Sequence, residues 1–320
     1  MEKHNSTHSN LDITGNTERF DDDHQSSEKK LAEELTRTVD LTPDITKQAK
    51  ELPGRVRETT DPVRNFMEKV LALTQQSANT ENDNYRDLSV AIEDTNGRQS
   101  LDDSLNLLVW LSRQVGDLYG EVYGNLQGAQ DQVSALLDYT QPITMPTFST
   151  QEKHEENSIE YSTVEEKEDT TEQSSTQKEE VDKKGFVDFL YSVGQSCEKA
   201  RVCIETTQKS LLSHEEHSIQ KTTSELRGKF NELQSCSAHL HTYISSHEES
   251  RREDQPLEAE RFSSVTDIQQ IAKKSIAILS EIENTADSVS YQATLIHDEI
   301  DHIKKLLEGF YSSGYTELAA

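Results

Sequence analysis

The tightest constraint on this chain is an apolar residue that recurs at alternating steps of three and four along stretches nearly free of helix breakers. Positions 265, 268, 272, 275, 279, 282, 286, 289, 293, 296, 300, 303, 307 and 310 read Val, Ile, Ala, Ser, Leu, Ile, Ala, Val, Ala, Ile, Ile, Ile, Leu and Phe. Only Ser275 departs, and neither proline nor glycine falls between Leu257 and Glu308. A step averaging about 3.5 residues keeps one narrow stripe of a helix against a neighbour, the heptad pattern of helices wound on one another. A continuous helix of this length would be a rod of roughly 75 Å unless it bends back near Thr285.

A second seam runs through positions 101, 105, 108, 112, 115, 119, 122, 126, 129, 133 and 136, with Ser112 the single interruption. Gly116, Gly120, Gly124 and Gly128 recur beside it at every fourth residue. Each costs roughly 1 kcal/mol of helix propensity relative to alanine, so each either admits a close neighbour or loosens the helix. Two shorter seams are Phe186, Leu190, Val193, Cys197, Ala200, Ile204, Leu211 and Ile219, Leu226, Phe230, Leu233, Leu240, Ile244. The polar stretch from Ser213 to His217 between them is expected to be a turn. Near the start, Thr42-Pro43 and Asp61-Pro62 each place a capping side chain before proline, the signature of a helix beginning. Leu52-Pro53-Gly54 is expected to end or kink the helix between them. The spacing Ile45, Ala49, Leu52, Val56, Val63, Phe66, Val70, Leu73 nevertheless keeps its phase across the prolines. A short amphipathic piece with Leu88 and Ile92 precedes Gly97.

Long helices with narrow seams and wide polar faces give an all-α fold of up-and-down antiparallel bundles. The expected organisation is a disordered segment over 1–27, a helical region over 28–140, an acidic disordered linker over 141–182, a helical bundle over 183–312 and a tail over 313–320. Composition agrees. Apolar residues are 32 % and aromatics 6 %, too few for a large globular core but enough for seams. The linker is a Glu/Thr/Ser/Lys tract with little to bury.

Charge and motif content then restrict function. The net charge is −28, with 60 acids against 32 bases. Displacing counterions from phosphates needs clustered Lys and Arg, so nucleic acid is excluded as a partner, and anionic membrane surfaces are disfavoured. No apolar run is long enough to span a bilayer, and the N-terminus is polar rather than signal-like. Cys197, Cys203 and Cys236 form no CxxC pattern; with no leader, they are expected to be reduced thiols in the cytosol, and the Asn5-Ser6-Thr7 sequon to be idle.

A search for chemistry returns nothing that a rigid cleft could use. There is no GxSxG, no P-loop and no GxGxxG after a strand. His214-Glu215-Glu216-His217 has its histidines three apart rather than the four of a zinc protease helix, and reads as a solvated turn. Cys236, His239, His241 and His247 do not complete a tetrahedral set. Glu33-Glu34 and Asp102-Asp103 are polar-face charge. Trp110 beside Leu108 and Val109 is expected in the core or at a partner contact. The expectation is a protein that packs and binds, with no catalytic residue, cofactor or metal.

One family likeness emerges at the last helix. Leu257-Glu258-Ala259-Glu260-Arg261, followed by the long Gln-, Ser- and Thr-rich seam that ends near Phe310, resembles the C-terminal helical bundle of the perilipin (adipophilin-like) lipid-droplet coat proteins. The two preceding seams stand in the expected order, and the proline-punctuated stretch from Leu41 to Val70 is similar to part of the same bundle. The amphipathic eleven-residue repeats of that family, its N-terminal region and its Trp-containing cleft segment have no counterpart here. The resemblance implies a non-catalytic, lipid-droplet-associated protein in the cytoplasm or on the droplet surface. Its sites would be the seam residues Leu101, Leu105, Leu108, Val115, Val122, Leu279, Ile282, Val289, Ile296, Ile300, Ile303, Leu307 and Phe310, and its partner a neutral-lipid surface. The seams alone equally suit a cytosolic coiled-coil scaffold or tether that binds partner helices or further copies of itself.

The seam phase is directly testable. Ile300→Asp puts a charge into the stripe and should cost roughly 3 kcal/mol or more, whereas Asp298→Asn and Asp301→Asn change only the flank and should cost little. Thermal melts of the three variants check this; equal behaviour would mean that the phase is wrong.

Overall fold

The computed structural model describes residues 17–77, 83–93, 95–140, 172–249 and 258–312. Among these residues there are six helices and no strand: α1 (Thr17–Ser77), α2 (Asp83–Glu93), α3 (Thr95–Thr140), α4 (Glu172–Leu212), α5 (Ile219–Glu249) and α6 (Glu258–Ser312). The fold is all-α and bundled, as the seams require. α6 runs unbroken past Thr285.

The expected disorder is corrected at its inner edges, because α1 already begins at Thr17 and α4 at Glu172. Extending a helix that exists adds one hydrogen bond per residue without the cost of nucleation, so polar residues join it. The rest of 1–27, most of 141–182 and the 313–320 tail lie outside the described residues. A larger correction concerns the prolines. Pro43, Pro53 and Pro62 all lie inside α1, a single 61-residue helix, rather than marking separate helices. Pro43 and Pro62 are exposed, so the carbonyl each one leaves without its amide partner lies on the solvent side. Burial of Ile45, Ala49, Leu52, Val56, Val63, Met67 and Val70 along one stripe holds the helix together across them. Each fully buried aliphatic side chain contributes about 1.5–3 kcal/mol, against roughly 3 kcal/mol for an interior proline. The stripe also shifts. Met67 and Thr74 take the buried places expected of Phe66 and Leu73, which are half-buried.

The chain divides into two compact units, each assembled from both halves of the sequence. Residues 17–36, 127–140, 172–198 and 302–312 form the first. In it Gly128 faces Glu34, Gly194 faces Val133, and Gln130 donates to Glu198 at 3.1 Å. Leu31, Leu35, Ala129, Val133, Leu136, Leu190, Val193, Cys197 and Ile303 are among its buried residues.

The second unit holds residues 37–126 and 199–301. Here α1 packs against α6, where Arg57 meets Asp287 at 2.7 Å and Arg64 meets Glu283 at 2.7 Å. Gly116 of α3 abuts Leu212 of α4, while farther toward its N-terminus Asn106 accepts from Arg227 of α5 at 2.7 Å. Along α6 the partners are Lys199 at Glu299 and then His217 at Glu281. Both series descend in register as α4 gives way to α5, so α5 continues in the direction of α4. The turn expected at Ser213–His217 is present, as a jog that does not reverse the chain, and α4 and α5 share partners instead of pairing with each other. Ser218 restarts the helix as its N-cap, its Oγ accepting from Lys221 N at 3.2 Å. The ring of Phe66 lies 5.8 Å from that of Phe230, and α2 packs on α5.

The glycine row splits by position. A methyl at Gly116 would land on the Leu212 side chain, whereas one at Gly124 meets nothing within 4 Å. Gly124→Ala should therefore stabilise by up to about 1 kcal/mol, and Gly116→Ala should give no gain or a loss. Denaturant unfolding of both variants measures this, and equal gains would mean that Leu212 does not pack there.

Candidate functional site: the seams and an aromatic cleft

All of the seam residues from α3 and most of those from α6 are interior. Leu101, Leu105, Leu108, Val115, Val122, Leu279, Ile282, Val289, Ile296, Ile300 and Ile303 are each no more than 5 % exposed. Leu307 and Phe310, at the end of the same stripe, are half-buried and open onto a cleft. As folded, the seams form the core, and they reach another surface only if the helices part.

What fills the rest of that core is hydroxyl. In the second unit Thr38, Thr42, Thr46, Thr59, Thr60, Thr74, Ser112, Thr207, Thr222, Thr223, Ser237 and Ser275 are buried. Many of these hydroxyls close on their own helix. Thr42 donates to Thr38 O at 2.6 Å, Thr59 to Arg55 O at 2.8 Å and Thr74 to Leu71 O at 2.7 Å. Ser112 donates to Val109 O at 2.9 Å, Thr207 to Cys203 O at 2.9 Å and Thr222 to Ser218 O at 2.8 Å. The hydroxyls of Thr46, Thr223, Ser237, Ser275 and Tyr119 are buried without a hydrogen-bond partner, each at a desolvation cost of about 1–3 kcal/mol. Burial also pushes the Tyr119 phenol well above its usual range.

Two groups of polar ties across helices have the most partners. Burial would raise the Glu283 carboxyl, but the hydrogen bonds from Arg64 and Thr60 and the charges of Arg64 and Arg57 hold it below the usual carboxylate range. On the α3–α4 face the Arg201 guanidinium lies 5.1 Å from the Tyr123 ring centroid and donates to its hydroxyl, which donates in turn to Glu205 at 3.1 Å.

Residues 214–217 are exposed, and His217 Nδ1 bonds Glu281 Oε1. The three cysteines are free; burial first, and nearby carboxylates second, push the Cys203 and Cys236 thiols up. Among the described residues no group of three or more His, Cys, Asp or Glu is arranged to hold a metal, and no helix is long and apolar enough to cross a membrane. Of the two places expected for Trp110, the core is excluded: it is 53 % exposed, with Leu107 one turn before it 43 % exposed.

The first unit carries one feature that sequence reasoning passed over. Its aromatic cluster of Phe186, Phe189 and Phe310, with Phe189 and Phe310 stacked at 4.4 Å, lines a cleft together with Leu31, Leu136, Leu307, Tyr311 and Glu28. Burial against this lining raises the Glu28 carboxyl to about 7. The signal was present in the sequence: 28, 31, 35, 38, 42, 45, 49, 52 and 56 step by three and four, so Glu28 is a charge at a seam position. Thr38 and Thr42 interrupt the apolar pattern there and hide the phase.

Compared with known proteins, the chain matches no family model, no curated protein and no solved structure.

Glu28 should leave a mark on stability. Its carboxyl is raised on folding, so its contribution is fully present below the unfolded value and is lost as pH rises through about 7. Glu28→Gln should match the parent near pH 4.5 and melt at a higher temperature at pH 8. Melting curves at the two pH values check this; an unchanged difference would mean that the carboxyl is fully solvated.

Proposed function

We propose that this is a non-catalytic binding protein whose amphipathic helices exchange their contacts with one another for contact with a neutral-lipid surface, as a perilipin-like coat of lipid droplets in the cytoplasm. The observation that carries the reading is the self-closure of the core hydroxyls. When helices part, a hydroxyl bonded to its own helix loses nothing, so separation mainly exposes apolar stripes that an oil surface can cover again. Each helix keeps its backbone bonds and its stripe. The outer faces suit an uncharged surface, because a net charge of −28 is repelled by anionic headgroups. The Arg57–Asp287 tie across α1 and α6 is half exposed, so water can replace it when the helices part.

A second reading, a coiled-coil scaffold or tether that binds partner helices or further copies of the chain, has one specific observation in its favour. Trp110 and Leu107 are exposed on one face of α3, and tryptophan is enriched among interface residues that dominate binding.

Flotation separates the two. With triolein emulsions coated in zwitterionic phospholipid, the chain should rise with the oil and keep its helicity, and Ile296→Asp should stay in the subnatant. A parent chain that remains in the subnatant with full helicity would contradict the lipid reading and leave the scaffold.

A further inference from the structure

We propose that the outer face of α3 in the second unit docks an amphipathic helix of a basic partner polypeptide, centred on Leu107 and Trp110. The inference deepens the second reading above and is independent of the lipid one, because this face is open while the bundle stays closed.

α3 carries two stripes with the same step. The first is the buried seam, through Leu105, Leu108 and Val115. The second is Asp103, Leu107, Trp110, Gln114, Asp117 and Glu121, each two residues beyond a seam position. Two residues are about half a turn, so this stripe runs along the side of the helix that faces away from the core. All of its residues are exposed except Gln114, which is half-buried. Scattered surface apolar residues are ordinary. A tryptophan and a leucine one turn apart, on a period that a second helix can follow, form the kind of anchor that helix recognition uses.

Charge selects the occupant. Asp103 stands seven residues before Trp110 and Asp117 seven after it, with Glu121 one turn farther on. None of these three carboxylates takes part in an ion pair among the described residues. A second copy of the chain fits badly in either direction. Laid parallel and in register, its α3 would set Asp103 on Asp103; laid antiparallel about Trp110, it would set Asp103 on Asp117. Such like-charge meetings are costly. Arg113, the one base between residues 101 and 121, would meet Leu107 in the antiparallel arrangement. A helix with an apolar centre and a lysine or arginine two turns to each side satisfies the stripe in both directions. The net charge of −28 also speeds the approach of a basic partner.

Trp110 is the only tryptophan in the chain, so its emission reports on this face alone. The full chain is titrated at about 0.15 M salt with a tryptophan-free leucine–glutamine helix carrying lysine seven residues to each side of its centre. The same helix with glutamate at those places is the counterpart. The lysine helix should move the emission to shorter wavelength and saturate, and the glutamate helix should not. Asp103→Lys with Asp117→Lys should reverse the preference, weakening the lysine helix about tenfold. Asp61→Lys with Asp298→Lys changes the net charge equally at exposed positions of α1 and α6 and should leave the preference unchanged. The proposal is overturned if neither helix shifts the emission, if both do so alike, or if the two double variants behave alike. A shift that grows with the concentration of the chain alone would give the face to a second copy, and one seen only on triolein emulsions would give it to lipid; either overturns the proposal. Binding of the lysine helix in gel filtration without a Trp110 shift would overturn this face and leave the second reading to another surface.

Discussion

Everything in this protein depends on one apolar stripe per helix being covered by another. The stripe is narrow, a single residue wide at most levels, and it alone keeps α1 continuous through Pro43, Pro53 and Pro62. Two well-buried aliphatic residues offset what one interior proline costs. The same constraint sets the direction of α5. With Phe230 of its stripe against Phe66 of α1 and Arg227 reaching Asn106 of α3, it lies beyond α4, and the polar jog at 213–218 needs only to restart a helix with Ser218.

A stripe so thin leaves little room for polar error, and the core handles polarity in an unusual way. Threonine and serine occupy many interior positions; many of their hydroxyls return to a carbonyl about one turn back, while those of Thr46, Thr223, Ser237 and Ser275 have no partner. Among the ion pairs that tie one helix to another, Arg64 with Glu283, joined by Thr60, is the best enclosed. A core built this way is held by burial and tied by few directional bonds. That combination favours helices that can change partners while staying helical.

The seams were legible from spacing because a stripe that must be covered leaves a strict period. Every seam position named on α3 is buried, and so are those of α6 from Val265 to Ile303. Local rules misled where burial overrode them. Proline chemistry predicted two helix starts and an end or kink within α1, which is one helix, while the turn expected of the polar run at 213–217 is present without reversing the chain. Phase failed where the interior was not apolar: Thr74 took a place assigned to Leu73, and Thr38 and Thr42 hid the stripe that leads back to Glu28. For Trp110 the core and a partner contact both stayed open, because hydrophobicity alone says nothing about which way a residue faces. The cleft was illegible, since Glu28, Leu136, Phe189 and Phe310 are far apart in sequence and only packing brings them together.

The central claim is that the helices part and keep their structure when an apolar surface replaces the core. Spin labels introduced at positions 57 and 287, which face each other across α1 and α6, report this directly through electron–electron distance measurement. The labels should lie close together in the free chain and move far apart on triolein emulsions, while circular dichroism stays unchanged. A short distance retained on emulsion-bound protein would contradict the account, because binding would then use the closed bundle.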